Sequence, residues 1–265
     1  GDVFELGDFS LEVIEVPGHT RGTIVLLDRV NRAVYSGDAC NLNTLLNLPG
    51  SASIEEYLES LKGKKIAFVG MGVANVPCAK WLASHGMEVY ACDKRDKQYI
   101  GEKICMEMEQ LGVHFSLGEA YLDILPEMNV VFRSHGILPF QNKWIGECIE
   151  RGQVVTTEME VFFRLCPAKM IAVTGSNGKT TTTTLISKML EAEGNRVYLG
   201  GNIGKALMPE LEHITENDIA VVELSSFQLL TMGNMVKKPD IAVVTNIEST
   251  HLDHHISLDE YVDAK

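Results

Sequence analysis

The six cysteines of this 265-residue chain stand singly, at Cys40, Cys78, Cys92, Cys105, Cys148 and Cys166, and no two form a C-x-x-C pair. That spacing excludes a zinc knuckle and offers no disulfide framework, so the thiols read as reduced and the compartment as cytoplasmic. No apolar run approaches the roughly 20 residues of a membrane-spanning helix, no signal peptide opens the chain, and there is no internal repeat. Excess positive charge is also lacking. With 23 Lys and Arg against 36 Asp and Glu, the net charge of −13 leaves no broad basic face for nucleic acid. An anionic small molecule remains compatible, because it needs only a local pocket of N–H groups and a few cations. The expectation is a soluble monomer with no nucleic-acid partner and no membrane, long enough for two compact domains.

A standard Walker A glycine is missing as well, since Val173 stands five residues before Gly178 of the Gly178-Lys179 pair. What is present is a shorter loop. Met170-Ile-Ala-Val-Thr-Gly-Ser-Asn-Gly-Lys-Thr-Thr reads as a buried strand, a glycine-rich turn, then a lysine and hydroxyls opening a helix. Gly175 and Gly178 let backbone N–H groups, including those of Ser176 and Asn177, turn toward a phosphate chain. Lys179 brings a point charge, and Thr180, followed by Thr181, a hydroxyl for Mg²⁺. The helix N-terminus adds its positive dipole.

Three stretches differ in character. Residues 1–62 show short alternating strands (9–16, 23–27, 32–35), then a helix capped by Ser53 with Glu56 at its third position. Residues 63–165 alternate strand and helix, with strands at 65–69, 88–92, 113–115, 130–132 and 154–156. Residues 166–265 begin a second such series, with strands at 170–173, 196–199, 219–223 and 241–245. Continuous apolar strands between helices predict α/β architecture, with parallel sheets covered on both faces.

In the middle stretch, Gly70-Met-Gly72-Val-Ala-Asn75 follows a strand and precedes a helix, with Asn75 where a dinucleotide motif has its third glycine. Asp93 closes the next strand, where a ribose-binding carboxylate would sit, and Arg95 follows it. These residues alone also suit a dinucleotide-dependent oxidoreductase. Farther on, polar groups gather at the ends of strands: Gly200-Gly-Asn202-Ile-Gly204, Glu223-Leu-Ser-Ser-Phe-Gln228 and Thr245-Asn246-Ile-Glu-Ser-Thr-His251-Leu-Asp253. A carboxylate and an imidazole beside a phosphate loop suit Mg²⁺.

Taken jointly and in this order, T-G-S-N-G-K-T-T, G-G-N-I-G, V-E-L-S-S-F-Q-L, T-N-I-x-x-x-H-L-D and a closing Y-V-D-A-K resemble the Mur ligase family over about residues 63–265. S-H-G-I-L-P stands where that family usually has S-P-G-I-P. The resemblance implies a Rossmann-like substrate domain at 63–165, then part of a P-loop-type ATP-binding domain at 166–265. It implies an ATP-dependent ligase of peptidoglycan precursor synthesis, using Mg²⁺ and acting on UDP-N-acetylmuramoyl-L-alanine and D-glutamate. Lys179 and Thr180 would meet ATP phosphates and Mg²⁺. Glu223 would hold one magnesium. His251 and a carbamylated Lys265 would serve a second. Asn202 would contact the reacting end of the substrate, and Val73, Ala74, Asp93, Lys94, Arg95 and Gly136 would bind the UDP moiety.

The opening segment resembles something else. Pro17-Gly-His19-Thr and Ser36-Gly-Asp38 are similar to the second half of a metallo-β-lactamase-fold hydrolase, where that histidine and aspartate are metal ligands. The fold's H-x-H-x-D-H cluster is absent, so His19 and Asp38 read as orphaned. A metal-dependent hydrolase and a non-catalytic UDP-sugar-binding fragment therefore stand as alternatives. Both ends of the chain are expected to be cuts, and turnover is not expected of this stretch alone.

Overall fold

Three β-sheets position everything that follows. The computed structural model describes residues 53–232, 237–248 and 261–262 in full, and ahead of them the backbone of four strands. Those four, β1 (Val3–Leu6), β2 (Phe9–Glu15), β3 (Ile24–Asp28) and β4 (Ala33–Tyr35), pair antiparallel in chain order. His19, Asp38, His251 and Lys265 lie outside the described residues.

The second sheet is parallel and holds β5 (Lys65–Val69), β6 (Glu88–Asp93), β7 (His114–Leu117), β8 (Val130–Arg133) and β9 (Val154–Thr156). Its order is β7-β6-β5-β8-β9, so the direction of winding reverses beside β5. Such a reversal opens a crevice at the carboxyl ends of the strands. Covered faces explain the unbroken apolar runs. Ile66 and Phe68 of β5 join one core while Ala67 and Val69 join the other, the two-residue alternation of a strand buried on both sides. Phe68 stacks on Phe132 of the neighbouring strand at 4.6 Å between ring centroids.

Helices α2 (Asn75–Ser84), α3 (Lys97–Ile100), α4 (Glu102–Gln110), α5 (Lys143–Glu150) and α6 (Glu158–Leu165) follow these strands. Ahead of them, α1 (Ile54–Leu61) starts in the expected capping box, with Ser53 and Glu56 bonding each other's backbone. Its Tyr57 and Leu61 are buried in the same core as Phe68 and Phe132, so this helix packs on the five-stranded unit.

The third sheet is also parallel, in the order β11-β12-β10-β13. Its strands are β10 (Lys169–Thr174), β11 (Val197–Gly201), β12 (Ile219–Glu223) and β13 (Ile241–Val244), with helices α7 (Lys179–Ala192) and α8 (Ser226–Met232). A 3₁₀ turn at Met208–His213 joins the two parallel units. Met208 and Leu211 enter the core that also holds Trp81 and Leu82 of α2. The Trp81 Nε1–H donates to Glu212 Oε2 at 2.7 Å. Shared apolar burial plus a hydrogen bond to a charged acceptor holds the units together.

Five described cysteines are free and buried. Burial pushes the Cys92 thiol up to about 12 and that of Cys166 up to about 11, which makes both poor nucleophiles. Among the described residues, no helix is long and apolar enough to cross a membrane.

Candidate functional site

The glycine loop leaves β10 at Thr174 and enters α7 at Lys179. Gly175 has φ +144°, and a Cβ there would fall 1.9 Å from Thr245 Oγ1, so only glycine fits. The following residues are clamped from the far end of β13. Ser176 Oγ bonds the Tyr261 hydroxyl at 2.7 Å and accepts the Glu248 N–H at 2.8 Å. The Asn177 N–H donates to Asn246 Oδ1 at 2.9 Å, and its side-chain amide donates to Glu248 Oε2 at 2.8 Å. Thr245 Oγ1 donates to the Asn177 carbonyl at 2.6 Å. None of these four partners was singled out from the sequence as clamping the loop. The T-N-I-E string did place Thr245, Asn246 and Glu248 at a strand end, which is the signal that pointed to them.

Helix α7 has no side-chain cap, so the N–H groups of its first turn stay open to an anion. Lys179 Nζ folds back on the Gly175 and Ser176 carbonyls at 2.8 and 3.0 Å, poised over the loop. Thr181 is exposed on the same first turn.

Glu223 ends β12 at 1% exposure, and both its oxygens are engaged. Thr180 Oγ1 donates to Oε2 at 2.8 Å, and Asn202 Nδ2 donates to Oε1 at 2.9 Å. The Asn202 N–H also donates to the Glu223 carbonyl at 2.8 Å. Close approach is enforced at Gly201 (φ +104°), where a Cβ would lie 2.2 Å from that carbonyl oxygen. Thr180, Glu223 and Asn202, distant in sequence, thus form one hydrogen-bonded row. A hydroxyl beside a carboxylate is the hard oxygen donor set that Mg²⁺ takes, and the open first turn beside Lys179 fits phosphate. Among the described residues no group of three or more His, Cys, Asp or Glu side chains is placed to hold a metal.

From Asn202 the row opens into a cleft of about 250 Å³ between the two parallel units. Val73, Ala74 and Asn75 line one wall, Asn202 and Lys205 the other, with His135 between them. Asn75, at 2% exposure, donates through its amide to the Val69 and Gly70 carbonyls at 3.2 and 2.8 Å. It staples the turn that a third glycine leaves free in a dinucleotide motif. Asp93 does not line this cleft. Its Oδ2 accepts the Met71 N–H at 2.7 Å, and the Arg95 guanidinium grips both its oxygens at 2.9 and 2.8 Å. Burial raises the Asp93 pKa, but those bonds outweigh it and hold the carboxyl below its ordinary value. Lys94 and Gly136 are exposed outside the cleft, Lys94 3.6 Å from Glu119.

A parallel sheet whose first strand ends in a glycine–lysine loop, facing a buried strand-end glutamate, defines an α/β protein of the P-loop class. Residues 173–265 match the Mur ligase middle domain. The chain is 44% identical over 212 residues to the UDP-N-acetylmuramoylalanine–D-glutamate ligase of Ruminiclostridium cellulolyticum, covering 80% of this chain and 44% of that protein. It is 45% identical over 210 residues to the protein of the same name from Clostridium perfringens, covering 79% and 45%. The chain therefore spans less than half the length of these curated relatives. Its fold is similar to that of a solved UDP-N-acetylmuramate:L-alanyl-gamma-D-glutamyl-meso-diaminopimelate ligase from Neisseria meningitides, with TM-score 0.50 and 17% identity over 76% of this chain and 66% of that one.

Proposed function

We propose that the chain carries the substrate-binding unit and part of the ATP-binding unit of an enzyme that adds D-glutamate to UDP-N-acetylmuramoyl-L-alanine at the expense of ATP. The observation that carries this reading is the Thr180–Glu223–Asn202 row, which links the phosphate loop to the cleft between the units. An ATP-driven ligase needs that adjacency, because the substrate carboxylate must meet the γ-phosphate.

In this reading the alanyl carboxylate attacks the γ-phosphorus, giving an acyl phosphate and ADP. The amine of D-glutamate then attacks the acyl carbon, loses a proton, and inorganic phosphate leaves from the tetrahedral intermediate. Lys179 turns from the loop carbonyls to the phosphate oxygens, while Gly175 to Gly178 and Thr181 line the phosphate path with N–H groups. Thr180 and Glu223 are the residues to hold magnesium, with His251 and a carbamylated Lys265 for a second ion. Bound magnesium supplies neutralisation of charge on the transferred phosphoryl group. Asn202 orients the reacting end of the substrate. Val73 and Ala74 take the UDP-linked portion, with Asp93, Lys94, Arg95 and Gly136 toward the nucleoside. Positioning and electrostatics carry most of such a step. The same reading divides the chain near 62 and 165 and makes the protein a cytoplasmic monomer, the latter open to sedimentation analysis.

Calorimetric titration with UDP-N-acetylmuramoyl-L-alanine tests it. Saturable binding is expected, weakened about tenfold by Asn202→Ala, in line with the loss of one hydrogen bond to a charged group. A folded chain that takes up no UDP-linked ligand refutes the proposal.

A further inference from the structure

Lys205 lines the cleft one residue past the G-G-N-I-G string, and no sequence motif gave it a role. Its backbone is firmly seated. Lys205 forms a β-bridge with Gly200, and a Cβ on Gly200 would fall 2.5 Å from the Lys205 carbonyl oxygen, so only glycine allows the approach. Gly201 and Gly204, at φ +104° and +72°, turn the chain between them. The Lys205 side chain is exposed, and among the described residues it has no hydrogen-bond or ion-pair partner. Other lysines of this acidic chain find a glutamate, as Lys65, Lys80 and Lys188 do. The cleft offers Lys205 none, because no carboxylate lines it. On the opposite wall, the Val73 and Ala74 N–H groups donate to no acceptor among the described residues, and α2 begins after them without a side-chain cap. A cleft with a cation on one wall, open N–H groups on the other and no negative charge suits an anionic segment of a ligand.

We propose that Lys205 binds the diphosphate of the UDP-linked ligand from the four-stranded unit, opposite the Gly72–Asn75 turn of the five-stranded one. The inference rests on the reading of the cleft as the site of that ligand. It goes further by adding a residue and naming the ligand segment it serves. Size limits what the cleft can take. Its volume of about 250 Å³ lies below the roughly 300–1,000 Å³ that encloses a drug-sized molecule, so it holds one part of a nucleotide-sugar. UDP-N-acetylmuramoyl-L-alanine has two anionic parts, the diphosphate and the alanyl carboxylate. The carboxylate belongs at the Thr180–Glu223–Asn202 row beside the phosphate loop, which leaves the diphosphate for Lys205. An ammonium on a flexible stem meets either phosphate without the fixed fork that a guanidinium imposes. Held from both walls, the diphosphate ties one unit to the other.

Calorimetry with three ligands on the 265-residue chain separates the outcomes. Lys205→Gln is expected to weaken UDP and UDP-N-acetylmuramoyl-L-alanine alike, by about fivefold to tenfold, the size of one charge-assisted contact in a partly open site. Mg²⁺-ATP should change by less than about twofold, because its phosphates lie at the other loop. Lys205→Arg keeps the charge and should hold all three affinities within about twofold of the unmodified chain. Raising salt from about 50 to about 500 mM should weaken UDP more in the unmodified chain than in Lys205→Gln, since screening acts on the charge that the variant lacks. Weakening of UDP-N-acetylmuramoyl-L-alanine without UDP would move Lys205 to the alanyl carboxylate and overturn the assignment. Equal weakening of Mg²⁺-ATP, or no change with any ligand, would also overturn it. Each of these results leaves the functional reading intact. Failure of both UDP-linked ligands to bind the unmodified chain would remove both.

Discussion

Replacing Gly175 by alanine places a methyl carbon 1.9 Å from Thr245 Oγ1 and 3.1 Å from the Asn246 carbonyl oxygen, on a backbone with φ +144°. Three costs follow. Holding an L-residue in that glycine region costs about 1–3 kcal/mol. Overpacking a filled site costs about 1–3 kcal/mol more. Thr245 can yield only by rotating, and its Oγ1 would then give up the Asn177 carbonyl at 2.6 Å, a loss of about 1 kcal/mol. Partial relaxation leaves an expected destabilisation on the order of 3–6 kcal/mol, confined to the four-stranded unit. Hydrogen exchange of the β10 and β12 amides measures it, because their opening free energy reports that unit separately from the five-stranded one. Adding Thr245→Ala removes the atom struck and should return about 1–2 kcal/mol in a double-mutant cycle. A Gly175→Ala chain whose β10 amides exchange within about 0.5 kcal/mol of the unmodified protein would refute the close approach and the loop geometry built on it.

Other perturbations test separate parts of the molecule. Asn75→Gly restores the dinucleotide-motif glycine but deletes one buried and one partly buried hydrogen bond, so it should lower stability by about 1–3 kcal/mol in urea unfolding; a stabilised variant would contradict the stapling role. The Asp93 carboxyl is held below its ordinary 3.8, so its stabilisation is present above that pH and disappears as pH falls through the lower folded value. Arg95→Ala should move that acid transition upward in pH, seen by circular dichroism, and an unmoved transition would speak against the pair. His85 faces the Trp81 carbonyl at 2.8 Å and Glu212 Oε1 at 2.9 Å, and only the imidazolium donates to both. Burial lowers the His85 pKa, but the Trp81 carbonyl and Glu212 leave it above its ordinary 6.5. This latch between the units is therefore complete below 6.5 and lost as pH rises through the folded value. Trp81 emission in a Trp144→Phe background should shift over that interval, and a flat profile would contradict the latch.

Much of this architecture could be read from apolar periodicity. Strands β5, β9 and β12 fall where the sequence places them, because uninterrupted apolar runs between helices have few other uses. Neighbours extend others: β6 runs on to Asp93 and β7 to Leu117 because those two residues pair across the sheet, a tertiary register that no local pattern encodes. The capping box of α1 was legible in Ser53 and Glu56, and that of α6 was equally available in Thr157 and Glu160 but was not used. At the site, Lys179, Thr180, Asn202 and Glu223 were visible as motif residues, whereas the joining of Thr180 and Asn202 through the two Glu223 oxygens depends on β10, β11 and β12 lying side by side. Asp93 was placed at the right strand end, but its capture by Met71 and Arg95 follows from the turn after β5. Lys205 stands one residue past the G-G-N-I-G string, and no spacing rule sets it across a cleft from Val73 and Ala74.

The central claim is that the loop from Gly175 to Thr181, with Glu223 beside it, holds the phosphates of Mg²⁺-ATP. Titration of Mg²⁺-ATP into the chain and into its Lys179→Ala variant tests it most directly. The account predicts saturable, magnesium-dependent binding to the unmodified chain that Lys179→Ala abolishes, since that ammonium is the cation poised on the loop carbonyls. Equal affinity in the two proteins, or binding indifferent to magnesium, would contradict it.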